Sequence, residues 1–195
     1  HAPKGNTRTR SCGKPAPGVE IRVVDQSGLD LPAGEVGEVV VSSQQVMAGY
    51  WKRPEATADA IRNGWLYTGD AGYLDPDGYL YIHDRLKDMV VSGGENVYPA
   101  EVENAIYGHP AVAEVAVIGV PDERWGEAVK ACVVLKPGHF ASEDDIIGFA
   151  RQRIAGFKAP RSVDFFPQLP RNSTGKLLKR ELRKPYWEGM DRQVN

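Results

Sequence analysis

Hydrophobic and polar positions divide the chain into two regimes. Along VEIRVVD, residues 19–25, they alternate, and EVVVSS, 38–43, is a second β-branched run. The turn-rich QSGLDLPAGEVG lies between them, so short strands are predicted here. RPEATADAIR, 53–62, has helical spacing after a proline and closes at Asn63–Gly64. DPDG, 75–78, is a tight turn between GYL and YLYIHD, which predicts a hairpin. From residue 85 the pattern changes. DMVVSGGENVYP reads as a strand entering a glycine loop. PAEVENAIYGHP reads as a helix opened by Pro99, with Val102, Ala105 and Ile106 on one face. VAEVAVIGV and EAVKACVVL are strong strands. SEDDIIGFARQRI is a helix with Ser142 as cap and acids in its first turn. SVDFF is a short strand and LLKRELRK a last helix. The expected class is α+β: a small β-rich region at 1–84, then a compact α+β domain at 85–195 whose final residues fray.

Composition narrows the function classes. Of 195 residues 42% are hydrophobic and the formal net charge is −2, which suits a globular chain and gives no basic excess for nucleic acid. No apolar run has the length of a membrane span, and no signal-peptide pattern opens the sequence. Cys12 and Cys132 lie far apart without metal-ligand spacing, and Cys132 sits in an apolar run, which places it in a core. A reducing cytoplasm fits this usage. The four histidines are scattered, so no metal site is expected. The opening HAPKGNTRTRSCGKPAPG is polar, rich in Gly and Pro, and lacks an initial Met. It reads as a loop entered midway, as in an excised fragment.

The chemistry centres on PRNSTGKLLKREL, residues 170–182. Lys176 follows Gly175 at the end of a polar loop and precedes a basic helical run. Such a lysine is either solvated or a positive charge carried on a flexible arm to something negative. Lys179, Arg180, Arg183 and Lys184 read as a solvated helix face. Other motifs read locally as ordinary structure: Asp70 in YTGD as a turn aspartate, Arg85 as a surface ion-pair partner and Gly93–Gly94 as a plain turn.

Five stretches, in order, resemble the adenylate-forming superfamily and specifically its acyl-CoA synthetases: GEVVVSSQQVMAGYWKRPEAT, GWLYTGD, DRLKDMVVSGGENVYPAEVE, VIGVPDERWGEAV and PRNSTGKLLKREL. The resemblance covers essentially the whole chain. It implies an enzyme in which a carboxylate attacks the α-phosphate of ATP, releasing pyrophosphate, and a thiol then displaces AMP. A small C-terminal domain turns between the steps and presents a different face for each. Lys176 resembles the adenylation lysine, whose charge stabilises the transition state. Asp70 and Arg85 resemble ribose and phosphate contacts, with Ile82 packing on the adenine or simply in the core. Lys87 matches the hinge position, where some relatives carry Asp; as an ordinary loop lysine it would have no such role. Gly93 and Gly94 would line the pantetheine tunnel. Trp125, Phe157 and Lys158, with Arg161, would meet the CoA nucleotide, or Trp125 would simply pack. Glu101 and Glu103 read as helix-surface or packing residues.

Two departures shape the expectation. Val91 stands where luciferase-type relatives have lysine, which argues against oxidative light chemistry. Ala159 stands where some relatives have arginine, which leaves the details of the CoA pocket open. The implied partners are a carboxylic acid, ATP, CoA and Mg²⁺, the last held mainly by an absent N-terminal part, together with a lysine acetyltransferase and deacetylase acting at Lys176. Sheet edges in 18–84 invite a homodimer. The isolated chain is expected to be inactive. The alternatives are a carrier-protein-loading adenylation domain and a stand-alone, non-catalytic CoA- or nucleotide-binding module.

Overall fold

The computed structural model describes Arg8 and residues 10–189. The opening polar residues before Arg8, and the frayed end expected after Gly189, lie outside the described residues. The chain divides into two compact units, His1–Leu86 and Lys87–Asn195.

The first unit is an antiparallel sheet of β1 (Val19–Val24), β2 (Gly37–Ser43), β3 (Ile61–Arg62), β4 (Trp65–Leu74) and β5 (Leu80–Arg85). The order is β1-β2-β4-β3, with β5 also on β4. Its core is small, with Val23, Val39 and Leu80 buried and Ile21, Leu31, Val41 and Leu74 packed around them. Asp75 builds the β4–β5 turn, because its Oδ1 accepts from the backbone N–H of Asp77 and of Tyr79. Helix α1 (Pro54–Ala60) is shorter than its pattern predicts. Ile61 and Arg62 leave it to pair with Leu66 and Trp65, so Asn63–Gly64 is a hairpin turn rather than a helix stop. Both turn residues have positive φ, 51° and 81°, as a two-residue hairpin of the right twist requires.

The second unit is a sheet with helices on both faces. Its strands are β6 (Val90–Ser92), β7 (Glu95–Val97), β8 (Val112–Asp122), β9 (Gly126–Leu135) and β10 (Ser162–Phe165). The β8–β9 hairpin is the spine, and β10 runs parallel to β9. Both spine strands are covered on two sides, which is why they read as near-continuous apolar runs. Val117, Val129, Ala131 and Val133 face α2 (Pro99–Tyr107) and α3 (Glu143–Arg151) and pack with Val102, Ile106, Ile146 and Ala150. Ala116, Ile118, Val120, Ala128 and Cys132 face the other way and pack with Leu169 and, from α4 (Lys179–Trp187), Leu182. Ser142 caps α3 in a reciprocal box with Asp145. Among the described residues no helix is long and apolar enough to cross a membrane.

Candidate functional site

In the first unit Asp70, Ile82 and Arg85 are brought onto one face of the sheet. Asp70 pairs with Arg85 and Gly72 with Ile82, and the register shifts between these pairs. The extra residue is His83. Ile82 and Arg85 are three apart, so in a regular strand they would point to opposite faces; the bulge puts both on the face of Asp70. Arg85 Nε donates to Asp70 Oδ1 at 2.9 Å, and its Nη1 donates to the Thr68 carbonyl at 3.0 Å. YTGD is itself irregular. The Thr68 hydroxyl donates to the Val39 carbonyl and accepts from the Asp70 N–H, while the Gly69 N–H donates to Glu38 Oε1. These bonds hold Asp70 at the rim of the sheet. Ile82 lies across Gly72, where a Cβ would come within 3.3 Å of its Cδ1, and remains 40% exposed. The result is a carboxylate–guanidinium pair beside an apolar surface that water can still reach.

In the second unit Gly93–Gly94 is the turn of the β6–β7 hairpin, with φ of 62° and 87°. The Gly93 N–H donates to the Trp125 carbonyl at 2.9 Å. The indole of Trp125 lies against Gly93 and carries Arg124 and Arg161 over its ring, their guanidinium carbons 4.6 Å and 5.0 Å from the ring centroid. Asp122 Oδ1 shapes this corner by accepting from the N–H of Arg124 and Trp125. Phe157 is 47% exposed. Lys158 is engaged: its Nζ donates to both carboxylate oxygens of Glu101, at 2.9 and 2.8 Å.

Lys176 sits on a built loop rather than a flexible arm. Asn172 Oδ1 accepts from the Thr174 N–H, the Thr174 hydroxyl and the Lys176 N–H. Arg171 bridges from Glu114 on β8 to the Gly175 carbonyl. Among the described residues the Lys176 side chain is exposed and its ammonium makes no hydrogen bond or ion pair. The loop is fastened to β8 at Glu114, and the Gly93–Trp125 corner lies beyond the other end of that strand, at Asp122. Eight residue steps of strand separate the two ends by about 26 Å. The sheet thus places the Lys176 loop and the Gly93, Gly94 and Trp125 cluster at opposite ends of the unit.

The basic face expected for the last helix is only half solvated. Arg180 and Lys184 are exposed. Lys179 Nζ pairs with Glu103 Oε1 at 2.8 Å, and the same Glu103 oxygen accepts from the Val117 N–H. Arg183 Nη1 donates to the Lys87 carbonyl at 3.2 Å, and Nη2 pairs with Asp88. Lys87 lies in a single 3-10 turn, Leu86–Asp88, with its side chain exposed and its carbonyl engaged. These partners are remote in sequence, and no local pattern announces them.

The second unit also holds a polar cluster that the motifs do not reveal. Lys130 Nζ donates to Asp164 Oδ1 at 2.7 Å, and the Tyr186 hydroxyl donates to Asp164 Oδ2. Burial acts to raise the Asp164 carboxyl, but the bonds from Lys130 and Tyr186 outweigh it and hold the group below its ordinary range. Burial pushes the neighbouring Cys132 thiol up to about 12, with Asp164 adding to the rise and Lys130 opposing it.

Asp70 and Arg85 in the first unit, and Gly93, Gly94, Trp125 and Lys176 in the second, belong to the stretches by which the sequence resembles the adenylate-forming superfamily. The comparisons agree. Residues 1–51 match the AMP-binding enzyme family and residues 101–176 the AMP-binding enzyme C-terminal domain. The chain belongs to the adenylate-forming, AMP-binding enzyme family, and its relatives include acyl-CoA and acyl-carrier-protein ligases. It is 48% identical over its full length to a fatty acid–[acyl-carrier-protein] ligase of Streptomyces coeruleorubidus, covering 37% of that protein. It is 51% identical over 90% of its length to a feruloyl-CoA synthase of an Amycolatopsis species, covering 36% of it. Among solved structures, ATP-bound MatB from Rhodopseudomonas palustris is similar at a TM-score of 0.85, with 41% identity, over 92% of this chain and 36% of that one. The o-succinylbenzoate CoA synthetase of Bacillus subtilis, in complex with its acyl-adenylate intermediate, is similar at 0.85, with 38% identity, over 96% and 37%. The chain therefore spans little more than a third of the length of these relatives.

Proposed function

We propose that this chain is the C-terminal part of an ATP-dependent carboxylate–CoA ligase. The observation that carries the reading is the bulge at His83, which sets Asp70, Ile82 and Arg85 on one face. That face suits a nucleoside: Asp70 accepts from the ribose hydroxyls, Arg85 holds Asp70 and reaches toward the ribose and phosphate, and Ile82 offers the adenine an apolar surface. In the first step a substrate carboxylate oxygen bonds to the α-phosphorus of ATP, the bond to the pyrophosphate oxygen breaks, and acyl-AMP remains. Lys176 supplies charge where the carboxylate and α-phosphate oxygens meet. In the second step the thiol sulfur bonds to the acyl carbon, the acyl–phosphate bond breaks, and AMP leaves. Gly93 and Gly94 bound the path of the pantetheine arm. Trp125, with Arg124 and Arg161, takes the nucleotide end of CoA, together with Phe157. Lys158 joins this set only by giving up Glu101. Among the described residues no three His, Cys, Asp or Glu side chains gather to hold a metal.

A second acceptor has specific support. A relative matched along the whole chain is named as an acyl-carrier-protein ligase, so a carrier-protein thiol is the alternative to CoA. Neutralising the Lys176 ammonium by acetylation would switch off the first step; mass spectrometry of the protein after treatment with an acetyltransferase tests this.

The deciding experiment joins this chain to the remainder of the Amycolatopsis feruloyl-CoA synthase and measures pyrophosphate release and thioester formation with CoA or a carrier protein. The expected result is turnover by the joined enzyme, none by the 195-residue chain alone, and a loss of about 10²–10³-fold in the first step for Lys176→Ala. A joined enzyme indifferent to Lys176→Ala overturns the reading.

A further inference from the structure

The contacts of α4 differ in kind from those of the other helices in its unit. Only Leu182 of this helix is buried. Tyr186 packs on the same apolar cluster as Leu182, and the remaining ties are polar: Lys179 to Glu103, Arg183 to Lys87 and Asp88, the Tyr186 hydroxyl to Asp164, and the Trp187 indole N–H to the Gly119 carbonyl at 3.1 Å. Arg183 is the extreme member. Its side chain is 11% exposed and that of its partner Asp88 is 17% exposed, and its Nε is buried without a hydrogen-bond partner. A charge pair taken this far out of water recovers little net stability, and an unsatisfied guanidinium N–H worsens the balance. Placement is the better explanation for keeping it.

What Arg183 places is specific. One nitrogen holds the Lys87 carbonyl and another holds the Asp88 carboxylate, so the backbone of one residue and the side chain of the next are tied to α4. Between this tie and the end of β5 at Arg85 lie only Leu86 and Lys87. α4 is also the helix that directly follows the Lys176 loop.

We propose that Arg183 is a positioning residue. It fastens the start of the second unit to α4, confines the freedom of the boundary segment to the torsions of Leu86 and Lys87, and makes the Lys176 loop and that boundary parts of one body. This rests on the reading of Lys87 as a hinge. It goes beyond that reading in naming the side chain that fixes where the turning stops.

Two readouts test it. Hydrogen exchange on the 195-residue chain compares wild type with Arg183→Ala, Arg183→Lys and Asp88→Asn. Exchange at the amides of Asp88 and Met89 should accelerate about tenfold or more, while β8 and β9 keep their protection. Lysine keeps the charge but lacks the fork, so Arg183→Lys should fail to restore protection. Asp88→Asn keeps the packing of the guanidinium and decides the matter if Arg183→Ala does not fold. In the joined enzyme, Arg183→Ala should change the ratio of acyl-adenylate formation to thioester formation; a loss of fold would lower both alike. Unchanged local exchange overturns the clamp. A joined wild-type enzyme that turns nothing over counts against the ligase reading, and the exchange result still decides the role of Arg183.

Discussion

A Cβ on Gly93 would stand 2.6 Å from Trp125 Cε3, closer than side-chain carbons approach, so the indole occupies the space that glycine leaves. Gly94, next in the turn, has nothing within 4 Å of that position. Both residues have positive φ. Gly94→Ala therefore carries the conformational cost alone, about 1 kcal/mol. Gly93→Ala carries that cost and the displacement of Trp125, for a total of about 2–3 kcal/mol. Urea unfolding should rank the two variants in that order. The tryptophan emission should shift only for Gly93→Ala. In the joined enzyme the same variant should impair thioester formation more than pyrophosphate release, because its site lies at the other end of β8 from Lys176.

The Lys176 loop offers a separate test. Three donors converge on Asn172 Oδ1, one of them the Lys176 N–H itself at 2.8 Å. Asn172→Ala removes the acceptor and Asn172→Asp keeps it. Exchange of the Lys176 amide should be faster by about tenfold in the alanine variant and near wild type in the aspartate variant. Equal exchange in both would show that Arg171 and Gly175 hold the loop without Asn172.

Asp164 satisfies Lys130 and Tyr186 together. Asp164→Ala leaves the largely buried Lys130 ammonium without its partner. Removing one member of a buried pair costs about 3–5 kcal/mol, and here the loss should fall at or below the low end because over a third of the Asp164 side chain meets water. Lys130→Met in the same background should recover much of it, since the flexible apolar chain fills the space of the lysine stem without its charge. Chemical denaturation of the two single variants and the double variant measures the coupling.

Much of this architecture is legible in the sequence where local chemistry dictates it. β8 and β9 announce themselves as apolar runs, Ser142 and Asp145 as a helix start, and Asp75 as a turn. Ile61 and Arg62 mislead because PEATADAIR keeps helical spacing to its end, while Asn63–Gly64 has the hairpin chemistry that wins. The candidate site residues are legible as motifs, but what joins them is not. The bulge at His83 has no signature within YLYIHD, which alternates well enough to read as a regular strand. Arg183 meets Asp88 across 95 residues and Lys130 meets Asp164 across 34, so a basic helix and an apolar strand each conceal one member of a long-range ion pair. Charges at such separations are paired by the tertiary fold, and a window of a dozen residues holds only one member of each pair.

Cys132 gives the pH prediction. Its side chain is 0% exposed on the face of β9 that meets α4, and burial lifts its thiol from 9.0 to about 12. Cys12 is exposed. At pH 8 a thiol reagent should modify one cysteine in the folded protein and the second only as the chain unfolds. The linkage has a definite sign. The folded state keeps the Cys132 proton to higher pH than the unfolded state does, so its contribution is complete below pH 9.0 and is lost as pH rises toward about 12. Through that window the thiol alone gives a falling slope of at most about 1.4 kcal/mol per pH unit. Tyr186 works in the same direction in the alkaline range, because burial and Asp164 raise its hydroxyl. Urea midpoints between pH 8 and 11 should therefore decline for wild type and decline less for Cys132→Ala, whose starting stability is lower by the small cavity the substitution leaves. Equal slopes in the two proteins would mean that Cys132 reaches water readily, which is incompatible with a closed interface between β9 and α4.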